Sequence, residues 1–169
     1  VAQAACQLAD AYRAAGQPET ARALYDFAGV AQPTADSAVW SKMGKVLLDI
    51  ETHEHAEAQA ETAELLASFK WTEPTANAAC RIGDAWRQKG EYAQARSVYQ
   101  KVVKERPEAE YALWSQMGMV ISDLALKNEP NAAVGVGALL QKHSKDNRIA
   151  NAACQIADRY QEAGDHAMS

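Results

Sequence analysis

With 169 residues, 48% of them apolar, and a formal net charge of −5, the chain is long enough for one domain or four to five short repeats and too apolar for disorder. A mildly acidic chain gains nothing from counterion release on a phosphate backbone, which argues against a nucleic-acid partner. No run approaches the roughly 18 consecutive apolar residues of a membrane span.

Taken in order, the first predicted helix covers residues 2–15, with Ala5, Leu8, Ala9 and Tyr12 on one face as its core stripe. Gly16 ends it, because glycine accepts the left-handed conformation of a helix stop. The second, 18–31, carries Ala21, Leu24, Tyr25 and Ala28, and Pro33 follows it. The third, 35–51, has Trp40, Met43, Gly44 and Leu47, and the fourth, 54–69, has Ala56, Ala60 and Ala63. The breaks around these two are weaker. Further helices are predicted over 74–89, 92–105, 109–126, 130–144 and 147–163, with a tenth cut short. The chain opens at Val1 inside a helical pattern and stops at Ser169 as that tenth helix begins, which reads as a piece of a longer protein. No signal peptide is visible.

The chain repeats itself. Ala4-Ala5-Cys6-Gln7-Leu8-Ala9-Asp10 returns as Ala78-Ala79-Cys80-Arg81-Ile82-Gly83-Asp84, and again as Ala152-Ala153-Cys154-Gln155-Ile156-Ala157-Asp158, at a spacing of 74 residues. Gly16, Gly90 and Gly164 correspond, as do Tyr12, Trp86 and Tyr160. Trp40-Ser41-x-Met43-Gly44 returns as Trp114-Ser115-x-Met117-Gly118. Residues 3–49 and 77–123 share 19 identities in 47 ungapped positions, the mark of a solenoid built from stacked units. Each 74-residue unit holds two helix pairs.

Residues 82–107 give Ile82-Gly83, Trp86, Gly90, Ala95, Tyr99, Val102 and Pro107. Residues 8–33 give Leu8-Ala9, Tyr12, Gly16, Ala21, Tyr25, Ala28 and Pro33. This order and spacing resemble the tetratricopeptide repeat. The units opening at Trp40 and Trp114 keep the aromatic and the glycine but lack the later aromatic and closing proline. The resemblance implies an all-α, right-handed α-solenoid of stacked antiparallel helix pairs over residues 1–169. Its repeats would be 2–34, 35–73, 74–108, 109–146 and a truncated 147–169. Gly44, Gly83 and Gly118 would mark the closest helix approaches.

No constellation suggests an enzyme, a cofactor or a metal. The three cysteines form no CxxC and no Cys/His cluster. His53 and His55 are two apart and do not share a helix face, and His143 and His166 read as surface residues. Gly135-Val136-Gly137 lacks the third glycine of a nucleotide loop and follows no strand; in the 74-residue register Gly137 matches Ala63, a small packing position. Nucleophile motifs are missing too.

In tetratricopeptide arrays the first helices of the pairs line a concave groove that holds peptides or partner helices, so the resemblance implies a protein-interaction scaffold. The stripe beside the core face of the first helix runs 3, 6, 7, 10, 13, 14, and includes Cys6 and Cys80. Applied to each pair, it names Lys42, Lys45, Asn77, Arg81, Asp84, Arg87, Asn151 and Asp158 as groove residues. Asn would hold a peptide backbone, and Arg or Lys its carboxylates. The competing reading is a solvated face, with Asp10–Arg13 and Asp84–Arg87 as ion pairs one turn apart. The two-carboxylate clamp that some family members use on acidic chaperone tails is not reproduced, because Asp10, Asp84 and Asp158 stand where it needs neutral or basic groups. The alternative function is a structural spacer or self-assembly module, with end-to-end association of the fragment through uncapped apolar ends.

Overall fold

The computed structural model describes residues 1–31, 35–162 and 164. Among these residues there are nine α-helices and no strand: α1 (Ala2–Ala14), α2 (Pro18–Val30), α3 (Ala35–Glu51), α4 (His55–Ser68), α5 (Glu73–Gln88), α6 (Tyr92–Glu105), α7 (Glu110–Ala125), α8 (Glu129–Lys142) and α9 (Ile149–Glu162). Each of the first nine predicted helices is present within two residues at each end. Pro33, His166 and the tenth helix lie outside the described residues. The chain divides into two compact units, residues 1–85 and residues 86–169.

Local chemistry sets the helix stops. Gly16 and Gly90 have φ of 70° and 81°, and behind them Gln17 N–H reaches Tyr12 O and Glu91 N–H reaches Trp86 O, both at 3.0 Å. This is the six-to-one bond of a left-handed helix cap. The breaks that lack glycine use the same geometry. His53 (φ 64°) and Lys127 (φ 58°) take the left-handed position, and Glu54 N–H to Asp49 O and Asn128 N–H to Asp123 O close at 2.8 Å.

In the first unit α1 packs on α2, α2 on α3 and α3 on α4, and α1 also meets α3. Short turns between packed neighbours make these antiparallel hairpins. Tyr25 is the anchor. It is 1% exposed, packs with Ala9, Ala21 and Leu48, and donates its hydroxyl to Asp10 Oδ1 at 2.6 Å. A buried tyrosine ring removes about 150–250 Å² from water, worth about 4–6 kcal/mol before the cost of ordering it. Ala5, Cys6 and Ala28 form a second cluster with Trp40.

Two of the expected faces are rotated. On α1 the buried residues are Ala2, Ala5, Cys6 and Ala9, whereas Leu8 is 49% exposed. Cys6 turns inward, with its thiol 3.8 Å from Ser37 O, and Cys80 is buried as well. On α4 the inward face is Ala58, Thr62 and Leu65, while Ala56, Ala60 and Ala63 are exposed. Alanine fits either face of a helix, so only the position of Leu65 decides between them. Gly137, the expected counterpart of Ala63, is exposed in the same way, and a Cβ there would point into open space.

In the second unit α6 packs on α7, α7 on α8, and α7 also on α9. Leu113, Met117, Val120, Ile121 and Leu124 of α7 meet Ala132 and Leu139 of α8 and Ala152, Ile156 and Tyr160 of α9. Gly135, Val136 and Gly137 lie within α8 and form no loop.

Each unit also carries a buried carboxylate tied to an arginine 27 residues earlier. Arg22 bonds Asp49, and Arg96 Nε donates to Asp123 Oδ1 at 2.7 Å. Asp49 is fully buried and Asp123 nearly so, so each needs its partner. The pair pins a second helix to the first helix of the next pair.

Candidate functional site

On α5, Asn77, Arg81, Asp84 and Gln88 recur at i, i+4, i+7 and i+11, so they form one stripe along the helix. Arg81 is exposed, and Asn77 and Asp84 are half-buried. On α9, Asn151, Gln155, Asp158 and Glu162 form the corresponding stripe, all exposed. Gln155 Nε2 donates to Asn151 Oδ1 at 2.7 Å.

Lys42 and Lys45 go elsewhere. Lys42 Nζ lies 2.7 Å from Glu64 and 3.8 Å from Glu61; Lys45 Nζ lies 2.9 Å from Asp26 and 3.6 Å from Glu61. Lys42 therefore reaches α4, and Lys45 both α2 and α4. The hydrogen bond from Lys42 holds the Glu64 carboxyl below its ordinary range. Burial by itself would lower the Lys45 ammonium, but the bond to Asp26 and the charge of Glu61 outweigh it and raise its pKa.

The two units treat one arginine position differently. In the first, Arg13 on α1 pairs with Glu51 on α3, with Asp10 at 3.9 Å. In the second, Arg87 donates from Nε to Tyr99 Oη at 3.3 Å, and the place of Glu51 is taken by Ala125. A cavity of about 370 Å³ opens there, bounded by Arg87 and Arg159, with Ile121, Leu124 and Ala125 of α7 along one wall. Arg159 bonds Glu162 one turn on. The site thus combines an apolar wall, two guanidinium groups and one carboxylate. Sequence reasoning singled out Arg87 but missed Arg159, which has no counterpart in the earlier repeats: Ala11 and Ala85 stand there.

Among the described residues, no group of three His, Cys, Asp or Glu side chains could hold a metal ion. The His53 and His55 rings lie 5.7 Å apart. No helix among these residues is long and apolar enough to cross a membrane.

The turn at Gly90, Tyr99 under Gly118 of α7 and the buried Ala95 and Val102 of α6 mark the stretch from the end of α5 through α6. Residues 80–109, from the second half of α5 through α6, match the family model described as tetratricopeptide repeat. This segment is similar to a tetratricopeptide repeat. No curated protein and no solved structure matches it. Tetratricopeptide repeats generally mediate protein–protein interaction, and their physics explains why. A stack of hairpins leaves the outer faces of its first helices unused by the core, free to vary without cost to the fold.

Proposed function

We propose that this tetratricopeptide-repeat chain is a scaffold that holds a peptide or partner segment against its first helices. The observation that carries this reading is the cavity beside Arg87 and Arg159, where apolar atoms and guanidinium groups meet on α5, α7 and α9. Arginine grips carboxylates through two parallel hydrogen bonds, and Ile121 and Leu124 offer apolar contact to the same ligand. Glu162 beside Arg159 favours a ligand of mixed charge. Asn77, Arg81 and Asp84 in residues 1–85, and Asn151 and Asp158 in residues 86–169, supply polar contacts along the same kind of helix face. Lys42 and Lys45 are engaged with acids of α2 and α4, so their part is structural.

The test is partner capture by the intact protein and by Arg81→Glu and Arg159→Glu variants. Capture falls by about tenfold or more, while the helical signal and Tm stay unchanged. Full capture by both variants removes the first-helix face from the account.

A second reading, a spacer or self-assembly module, is favoured by one observation. Leu8 is 49% exposed, whereas Ile82 and Ile156 in the same register are 0% and 4% exposed. It predicts a mass that rises with concentration in light scattering and falls back in Leu8→Glu.

A further inference from the structure

The trough between the second helices differs between the units in a concerted way. In residues 1–85 it is closed by ion pairs from Lys42 and Lys45 to Asp26, Glu61 and Glu64. The residues 74 positions on are Gln116, Met119, Gln100, Gly135 and Ala138. All five charges are gone. A cavity of about 230 Å³ takes their place over α7, walled by Val103 of α6, Met119 and Val120 of α7, and Val134, Gly135 and Ala138 of α8. Val134 is 72% exposed. A Cβ at Gly135 would stand 2.7 Å from Val120 Cγ2, so the glycine keeps α8 close to α7.

We propose that this trough docks one amphipathic helix of a partner protein, with apolar side chains entering the cavity and acidic residues on its flanks. The cavity is smaller than the ~300–1,000 Å³ of small-molecule sites and combines apolar walls with Gln116, Asn131, Arg96 and Asp123 at its edges, which suits the side chains of an amphipathic helix. Along α8, Val134, Gly135 and Ala138 fall at i, i+1 and i+4, a low ridge into which the ridge of another helix can settle. The charge of the rim selects the flanks. Arg96 lines one side, and Lys104, next to Val103, is exposed. The one acid of the lining, Asp123, is buried beneath Arg96 and bonded to it. With Asp123 bonded to Arg96, Lys104 leaves the rim net positive, so an acidic flank is favoured there over a basic one. This surface lies on the second-helix side and stands independently of the cavity at Arg87.

Two helical peptides of about four turns test it, each with leucines at i, i+4, i+7 and i+11, one flanked by Glu and one by Lys. Binding is read by fluorescence anisotropy. The Glu-flanked peptide binds saturably, and the Lys-flanked one at least about tenfold more weakly. Gln116→Lys combined with Ala138→Glu restores the Lys42–Glu64 pair of the first unit, closes the trough and abolishes binding with Tm retained. Val134→Glu weakens it separately, and Arg81→Glu leaves it unchanged. Binding of neither peptide, equal binding of both, or binding that survives closure overturns the proposal. A dimer of the chain alone, seen by sedimentation and abolished by closure, overturns it in favour of a second copy as the occupant.

Discussion

Gly118 lies under the ring of Tyr99: a Cβ at Gly118 would stand 2.5 Å from both Cε2 and Cζ. The same contact is made by Gly44 and Tyr25, at 2.2 Å from Cε1. A methyl group cannot enter either gap without moving a buried ring. Gly118→Ala is therefore expected to destabilise by about 1–3 kcal/mol in urea unfolding. The cost shrinks in a Tyr99→Leu background, which a double-mutant cycle measures as coupling.

Asp123 depends on Arg96. Arg96→Met leaves a carboxylate with 4% side-chain exposure without its guanidinium, and only Asn128 Nδ2 at 3.4 Å remains. Breaking a buried pair on one side costs about 3–5 kcal/mol. Arg96 is itself partly in water, so the expected loss is near or below the lower end, about 2–3 kcal/mol. Denaturant unfolding of Arg96→Met and of Asp123→Leu/Arg96→Met decides it, the double variant being the more stable of the two.

Lys127 sits at φ 58°, where a side chain is strained and glycine is not. Lys127→Gly is expected to raise stability by about 0.5–1 kcal/mol, the relief of the left-handed strain exceeding the extra freedom of the unfolded chain. The reverse change at the matching turn, Gly90→Ala, lowers it by a similar amount. Thermal unfolding of both variants checks the pair.

The three thiols differ in access. Cys6 and Cys80 are buried and Cys154 is exposed. Burial, and then the charge of Asp10, push the Cys6 thiol up, which leaves less thiolate to react. One cysteine is expected to react quickly with a disulfide reagent at pH 8 and two only on unfolding. Cys154→Ser removes the fast phase.

Asp146 accepts hydrogen bonds from the Arg148 side chain and backbone N–H, and its carboxyl is pulled down to about 2. A lowered carboxylate stabilises the fold fully above its unfolded value, near 3.8. That contribution is lost as pH falls from there through about 2. Carboxyl carbon shifts followed by NMR are expected to show the low midpoint in the native protein, and an ordinary one in Arg148→Gln.

The helical positions of the candidate residues could be read before the structure, and the limits were physical. The stripe of Asn77, Arg81 and Asp84 follows from helical spacing alone. The lysines did not, because an ammonium on a four-carbon stem can turn to either side of its helix. Asp26, Glu61 and Glu64, which capture it, lie on other helices. Leu8 is apolar and in step with Ala5, which predicts a place in the core. α1 instead meets α2 and α3 through Ala5, Cys6 and Ala9, and Leu8 lies outside that contact.

By itself the sequence determined where helices begin and stop, because a helical period, a glycine at a left-handed stop and a 74-residue recurrence are properties of neighbours along the chain. Only the tertiary structure decided which face of each alanine-rich helix is covered, and that Asp26, Lys42, Lys45, Glu61 and Glu64, whose places carry no charge 74 residues on, meet one another in residues 1–85. Those side chains come from three helices, and what they exclude or admit depends on distances across space.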